Sequence, residues 1–244
     1  MIIGGSHLFH AAALWSLQIA SRIVDMVFFS SVEENNEIVQ KLKEEFRNGI
    51  VVPRSQIDHY IAEADCVLIG PGLPRKDGKM AADDDTAELT KRLLAKYPKK
   101  KWVIDGGSLQ VIDPKLLPKG SVITPHTREF VKLFGIEATK DSVQAMARKY
   151  DVIIVAKSEK DIVCSKNECV VIEGGNAGMT KGGTGDVLAG LIAALGCKND
   201  LWLSALAGSY FNKKAGESLF EKVGYYFNSS DLVDEIPKVM KTIL

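Results

Sequence analysis

The chain has 244 residues, 46% of them hydrophobic, and its 31 basic residues are balanced by 31 acidic ones. That is enough apolar material for one large α/β domain or two small ones, and no net field favours nucleic acid or an anionic membrane. The apolar stretch from Leu8 to Phe29 contains His10, Gln18, Arg22 and Asp25, which argues against a membrane span, and nothing ahead of "MII" reads as a signal or transit segment. A cytoplasmic protein is expected.

In chain order, "MII" reads as a strand and "AAALWSLQIASRI" as a helix with a small apolar face. "DMVFFS" and "GIVVP" are strands on either side of the amphipathic "NEIVQKLKEEF". "DCVLIG" is a buried strand, followed by the Gly/Pro-rich loop "GPGLPRKDGK" and a helix around "DTAELTKRLLAKY". "KWVID" and "GSVITP" are strands flanking the turn-rich "DPKLLPKG"; helices near "TREFVKLF" and "DSVQAMARKY" lead to the strand "DVIIVA". "KDIVCSKNECVVIEGG" reads as a local antiparallel hairpin turning at Lys166-Asn167. The remainder is helical: "DVLAGLIAALG", "DLWLSALAGSYFNKKAGESLF" and the tail after Ser230. Strands alternating with helices predict a mostly parallel sheet covered on both faces, as one domain over residues 1–244. Cys66, Cys164, Cys169 and Cys197 form no C-x-x-C pair and have no histidine nearby in sequence, so free and mostly buried thiols are expected rather than a zinc site.

Ligands of open parallel sheets gather at the carboxyl ends of the strands. Five loops there are unusual: "GGSHLF", "GPGLPR", "DGGS", "TPHTRE" and "KSEKD". A sixth segment, "GNAGMTKGGTGDVLAG", clusters glycines around Asp186 just before a helix. All six are expected to face one crevice. Glycines let backbone N–H groups converge on an anion, and the following helix adds its positive end. An acid placed there has a use if it takes a proton from a hydroxyl that attacks phosphorus. The plainer alternative is that Asp186 only caps the helix. Lys181 either neutralises phosphate charge or is merely exposed. The spacing fits neither a Walker A loop nor a dinucleotide fingerprint.

"GNAGMTKGGTGDVLAGLIAALG" closely resembles the signature of the ADP- or ATP-dependent NAD(P)H-hydrate dehydratases of the ribokinase-like superfamily. "IIGGS", "DCVLIGPGL", "VITPHTREFVKL" and "VIIVAKSEKDIV" resemble further motifs of that family, in family order across nearly the whole chain. The resemblance implies a three-layer α/β/α sandwich with a mostly parallel central sheet and a local antiparallel hairpin. It also implies a repair reaction, in which the hydroxyl of hydrated NADH or NADPH is phosphorylated from ADP or ATP, with Mg²⁺, and phosphate is then eliminated. Asp186 would be the base. Ala12, Gly72 and His126 would join Asp186 in touching the hydrated dinucleotide, and Glu129 would orient the His126 loop. Lys157, Ser158, Glu159, Lys160 and Asp161 would line the adenine nucleotide, with Gly182, Gly183, Thr184 and Gly185 around its phosphates. A homo-oligomer is expected. The epimerase domain often fused ahead of this one in the family has no counterpart in these 244 residues.

On the residues alone, His126 could instead cap the helix after Pro125, and Asp161 could hold a hairpin turn. The chain also departs from the family pattern. Phe9 and Ala11 replace a tyrosine and a glycine of the first loop, and Gly107 replaces the second acid of D-A-D-A-L. Pro74 stands where a glycine follows G-P-G-L, Ser158 replaces the glycine after the lysine, and "IVD" replaces a G-A-G turn. These changes gather at the substrate end and keep open two other functions. One is a small-molecule kinase acting on a vitamin precursor or sugar; the other is a nucleotide-binding protein without turnover.

Overall fold

A computed structural model describes residues 1–41, 49–74 and 85–244. The end of the "NEIVQKLKEEF" helix and the "RKDGK" part of the Gly/Pro-rich loop lie outside the described residues. The sheet contains β1 (Ile2–Ile3), β2 (Phe28–Ser30), β3 (Ile50–Val51), β4 (Cys66–Ile69), β5 (Lys101–Ile104), β6 (Val122–Ile123), β7 (Ile153–Ala156), β8 (Asp161–Cys164) and β9 (Cys169–Ile172). Their order is β3-β2-β1-β4-β5-β6-β7-β8-β9. The first seven run parallel, and β8 and β9 are antiparallel. The parallel sheet and the closing hairpin are as expected.

The apolar runs of β4, β5 and β7 follow from their position, since a parallel strand is covered on both faces. Ile69, Trp102, Ile104 and Ile154 pack on one side with α3 (Ile57–Glu63), α4 (Thr86–Lys96), α6 (Thr127–Phe134) and α7 (Lys140–Tyr150). Leu68, Val103 and Val155 pack on the other with α1 (Ala11–Ala20), α8 (Thr184–Gly196) and α9 (Leu201–Val223). A further cluster, including Ile19, Leu191, Leu219, Leu232 and Ile236, joins those three helices to α10 (Ser229–Ile243). Helix α8 is apolar nearly all round because it is sandwiched between the sheet and these outer helices. Short α2 (Glu33–Lys41) precedes β3. Among the described residues no helix is long and apolar enough to cross a membrane.

Two features differ from expectation. The segment "DGGS", expected as a loop, is already helical from Gly106, where a short helix, α5 (Gly106–Val111), begins just after β5. The cysteines are not all free. The β8–β9 register sets Cys164 directly opposite Cys169, with Cα atoms 4.1 Å apart, and their sulfurs are bonded across the hairpin; Cys66 and Cys197 are free. Linear spacing gave no sign of this pairing, because cross-strand register places the two residues face to face.

Candidate active site

The described residues of all six segments meet at the carboxyl end of the parallel strands. They enclose a cavity of about 500 Å³, whose wall includes Ala12, Gly72, Asp105, Gly107, Gly183 and Asp186. A second cavity, of about 900 Å³, is lined by Ser158 to Asp161, by Glu173 to Ala177 and by Thr184, Asn212 and Lys213. His126, Lys157 and Gly185 line both. Of the residues singled out in the sequence, Ala12, Gly72, Gly182, Gly183 and Asp186 thus face the smaller cavity, and Ser158, Glu159, Lys160, Asp161 and Thr184 the larger.

Asp186 does not cap its helix. Gly183 occupies the N-cap of α8 and Asp186 is the third residue inside it. Thr184 N–H donates to the Lys181 carbonyl at 3.5 Å, and the N–H groups of Gly185 and Asp186 that follow it lie too near the helix start for an α-helical partner, so the positive end of the helix faces the junction of the cavities. Burial pushes the Asp186 carboxyl up to about 7, helped by the nearby charges of Asp105 and Glu129 and opposed by Lys157. A carboxylate poised near neutrality suits a general base.

Beneath it lies a buried ion pair. Lys157 Nζ stands 2.7 Å from Asp105 Oδ1, which also accepts from Thr124 Oγ1 at 2.7 Å. Burial alone would lower the lysine's pKa, but Asp105, Glu129 and Asp186 outweigh it and raise it, so Lys157 stays charged. A Cβ on Gly185 would lie 3.1 Å from Lys157 Nζ. The α8 first turn and this cation therefore bracket one point between the cavities, where an anion meets both a helix end and an ammonium.

His126 does cap a helix. Its Nδ1 accepts from the N–H groups of Arg128 (3.1 Å) and Glu129 (3.3 Å), while Glu129 Oε2 accepts from His126 N–H at 3.0 Å. These bonds assign the unprotonated nitrogen to Nδ1, so the neutral ring presents Nε2–H as a donor. Glu129 is buried and also accepts from Gln110 Nε2 at 3.1 Å. The capping box and a place on the cavity wall coexist in one residue. His126→Ala is expected to cost about 1 kcal/mol in a urea titration, and His126→Asn, which restores an N-cap acceptor, to recover most of it.

Asp161 is structural in its contacts. It is 4% exposed, accepts from Ser158 N–H (3.0 Å) and Ser209 Oγ (2.7 Å), and lies 3.4 Å from Lys213 Nζ. Lys213, itself buried, donates to the carbonyls of Ser158 (3.2 Å) and Glu159 (2.9 Å), so the pair shapes the Lys157–Asp161 loop from below. Thr184 Oγ1 is occupied with the Met179 and Lys181 carbonyls. Lys181 turns away from the glycine loop and donates to the carbonyls of Tyr225 and Phe227.

Two of the departures from the family pattern, Ser158 and Gly107, find local reasons. Ser158 does not adopt a positive φ, so no glycine is needed there. A Cβ at Gly107 would fall 2.1 Å from the Leu73 carbonyl oxygen, so this backbone has no room for an acid at that position. Phe9 is 48% exposed at the rim of the smaller cavity. Sequence reading missed Lys213 and Asn212, whose Oδ1 is buried without a hydrogen-bond partner. Both sit on α9, where nothing in the pattern "YFNKKAGE" marks a buried lysine or amide.

Fold and cleft together define a ribokinase-like protein. A crystal structure of a ribokinase-like superfamily protein from Enterococcus faecalis superposes with a TM-score of 0.86 at 25% identity, over 99% of this chain and 86% of that one. The family model for NAD(P)H-hydrate dehydratase matches residues 1–238, and the chain belongs to that family. It is similar to the bifunctional NAD(P)H-hydrate repair enzyme of Methanocaldococcus jannaschii, 36% identical over 251 residues, covering 99% of this chain but 48% of the relative. It therefore spans about half the length of that relative. An ADP-dependent (S)-NAD(P)H-hydrate dehydratase of Nitrosopumilus maritimus is 30% identical, covering 99% of this chain and 88% of its own length.

Proposed function

We propose that this chain, acting as one domain in the cytoplasm, dehydrates hydrated NADH or NADPH with ADP or ATP as phosphoryl donor. One observation carries this: Asp186 stands on the wall of one cavity, in the first turn of the helix that borders the second. The hydrated nicotinamide occupies the smaller cavity, against Ala12, Gly72 and His126, and the adenine nucleotide occupies the larger, along Lys157 to Asp161. Asp186 takes the proton of the ring hydroxyl as its oxygen attacks the terminal phosphorus, and the shortened nucleotide leaves. Lys157 and the N–H groups of Gly182, Gly183 and Gly185 hold the charge that spreads over the phosphoryl oxygens. The ring C–O bond then breaks with loss of phosphate, and a proton leaves the neighbouring ring carbon to restore the dihydronicotinamide. Phosphorylation matters because hydroxide is a poor leaving group and phosphate a good one.

Among the described residues no three His, Cys, Asp or Glu side chains gather as a metal cage. Mg²⁺ would enter with the nucleotide and offset the charge of its phosphates. A homo-oligomer is part of the proposal, and light scattering checks it.

Hydrated NADPH is incubated with the protein and Mg²⁺, with ADP, with ATP, or with neither. The expected result is recovery of dihydronicotinamide absorbance with one or both nucleotides and none without. Nucleotide turnover on another alcohol, with hydrated NADPH untouched, would instead identify a small-molecule kinase; binding without turnover would identify a non-catalytic protein.

A further inference from the structure

Trp15, on α1, presents an indole to the wall of the smaller cavity, and the proposed chemistry gives that indole no task. Two contacts fix it. Its N–H donates to Ser230 Oγ at 3.1 Å, in the first turn of α10. Its six-membered ring lies flush against Gly183: a Cβ built there would fall 2.3 Å from Cζ3 and 2.4 Å from Cε3. The same Cβ would lie 2.6 Å from Ser229 Oγ, which donates to the Gly182 carbonyl at 2.8 Å. Behind the turn, Ser16 Oγ, also on α1, donates to the Asp186 carbonyl at 2.8 Å.

The glycine turn needs such support. Gly183 sits at φ +96°, a conformation open to glycine, and glycines stand on both sides of it in Gly182 and Gly185. Such a run has little intrinsic preference for one shape. Yet a catalytic group must be held to within about 0.5 Å, and a displacement of about 1 Å costs on the order of 10²-fold in rate. A flat, rigid ring filling the space where a side chain would otherwise stand adds a wall to the hydrogen bonds of Thr184 and Ser229 that also hold the turn.

We propose that Trp15 is a positioning residue: its indole, pinned to Ser230, braces Gly183 and so fixes the first turn of α8 with the carboxylate it carries. This rests on the dehydratase function proposed above, so one readout is chosen that needs no substrate. The first hydrogen bond of α8 runs from Val187 N–H to the Gly183 carbonyl at 3.0 Å. In Trp15→Leu, which keeps apolar bulk but withdraws the ring, hydrogen exchange at the Val187 amide is expected to quicken at least about tenfold, with amides of the central strands unchanged. Unchanged exchange at Val187 overturns the brace, whatever the substrate proves to be.

The second readout uses hydrated NADPH. Trp15→Leu is expected to lower kcat by roughly 10–100-fold with little change in KM, and Trp15→Phe, which keeps a ring against Gly183, to recover most of the loss. Binding separates positioning from direct substrate contact. Asp186→Asn and Asp186→Asn/Trp15→Leu are expected to bind hydrated NADPH equally in equilibrium dialysis. Weaker binding by the double variant, with kcat preserved in Trp15→Leu, would make the indole a substrate wall and overturn the proposal. Should Trp15→Leu not fold, Ser230→Ala decides: the ring stays but is unpinned, and both faster Val187 exchange and a several-fold fall in kcat are required.

Discussion

Asp186→Asn is expected to lower kcat for hydrated NADPH by about 10²–10⁴-fold while leaving the nucleotide's KM within a few-fold, as fits loss of a general base rather than of a binding contact. The amide keeps the shape and place of the side chain but cannot accept the hydroxyl proton. In the wild type, burial pushes the Asp186 carboxyl up to about 7. The base form therefore grows as pH rises, and kcat/KM should climb through a limb near neutrality and level off above it. The variant's residual rate should lack that limb.

The same shift has a consequence for stability, and its sign is opposite to that of activity. The folded carboxyl titrates near 7 against an ordinary 3.8. Between those values the folded state binds more protons than the unfolded state, so this group's contribution to stability falls as pH rises from about 4 to 7 and is flat beyond. Asparagine carries no such penalty. Asp186→Asn should therefore be more stable than wild type at pH 7.5, by roughly 1–3 kcal/mol in urea titrations, and should lose that advantage near pH 4. A variant that is inactive and also less stable at pH 7.5 would mean that the carboxylate is a structural contact and not a desolvated base.

Much of the fold was legible in the sequence because the β-branched runs have the lengths and boundaries of buried parallel strands. "CVLI", "KWVI" and "IIVA" could hardly sit elsewhere than in the middle of a covered sheet. The six segments around the cavities were legible for the same reason, each following a strand. What remained hidden depends on contacts distant in the chain. Asp105 and Lys157 are 52 residues apart, and no spacing rule joins them. Helix α5 opens with two glycines that read as loop, and packing at the end of β5 overrides their propensity. His126 carried two readings in the sequence, and the structure gives it both a cap's hydrogen bonds and a place on each cavity. Lys213 reads as one of several surface lysines on a helix, yet it is buried under the loop it supports.

Lys157→Met should be the most destabilising single change at the site. The side chains of Lys157 and Asp105 are 17% and 3% exposed, and methionine replaces the stem while removing the charge. Asp105 then keeps the hydrogen bond from Thr124 Oγ1 but is a buried carboxylate without a counter-ion among the described residues. Breaking such a pair from one side costs about 3–5 kcal/mol, whereas replacing both charges is often near neutral. Lys157→Met/Asp105→Asn should accordingly regain most of the lost stability, since asparagine can still accept from Thr124. The effect should hold across neutral pH. Lys157 titrates above its ordinary value, so its contribution is complete below about 10.5 and is lost only as pH rises through the folded value. Activity should not follow stability. Without the ammonium beside Gly185, the transferring phosphoryl group loses a cation, and kcat should stay about 10²–10³-fold below wild type in the rescued double variant. Urea titrations of the two single variants and the double complete the thermodynamic cycle, and absorbance recovery on hydrated NADPH supplies the rate. A double variant no more stable than Lys157→Met would show that the lysine acts through packing, and one with wild-type kcat would remove it from the chemistry.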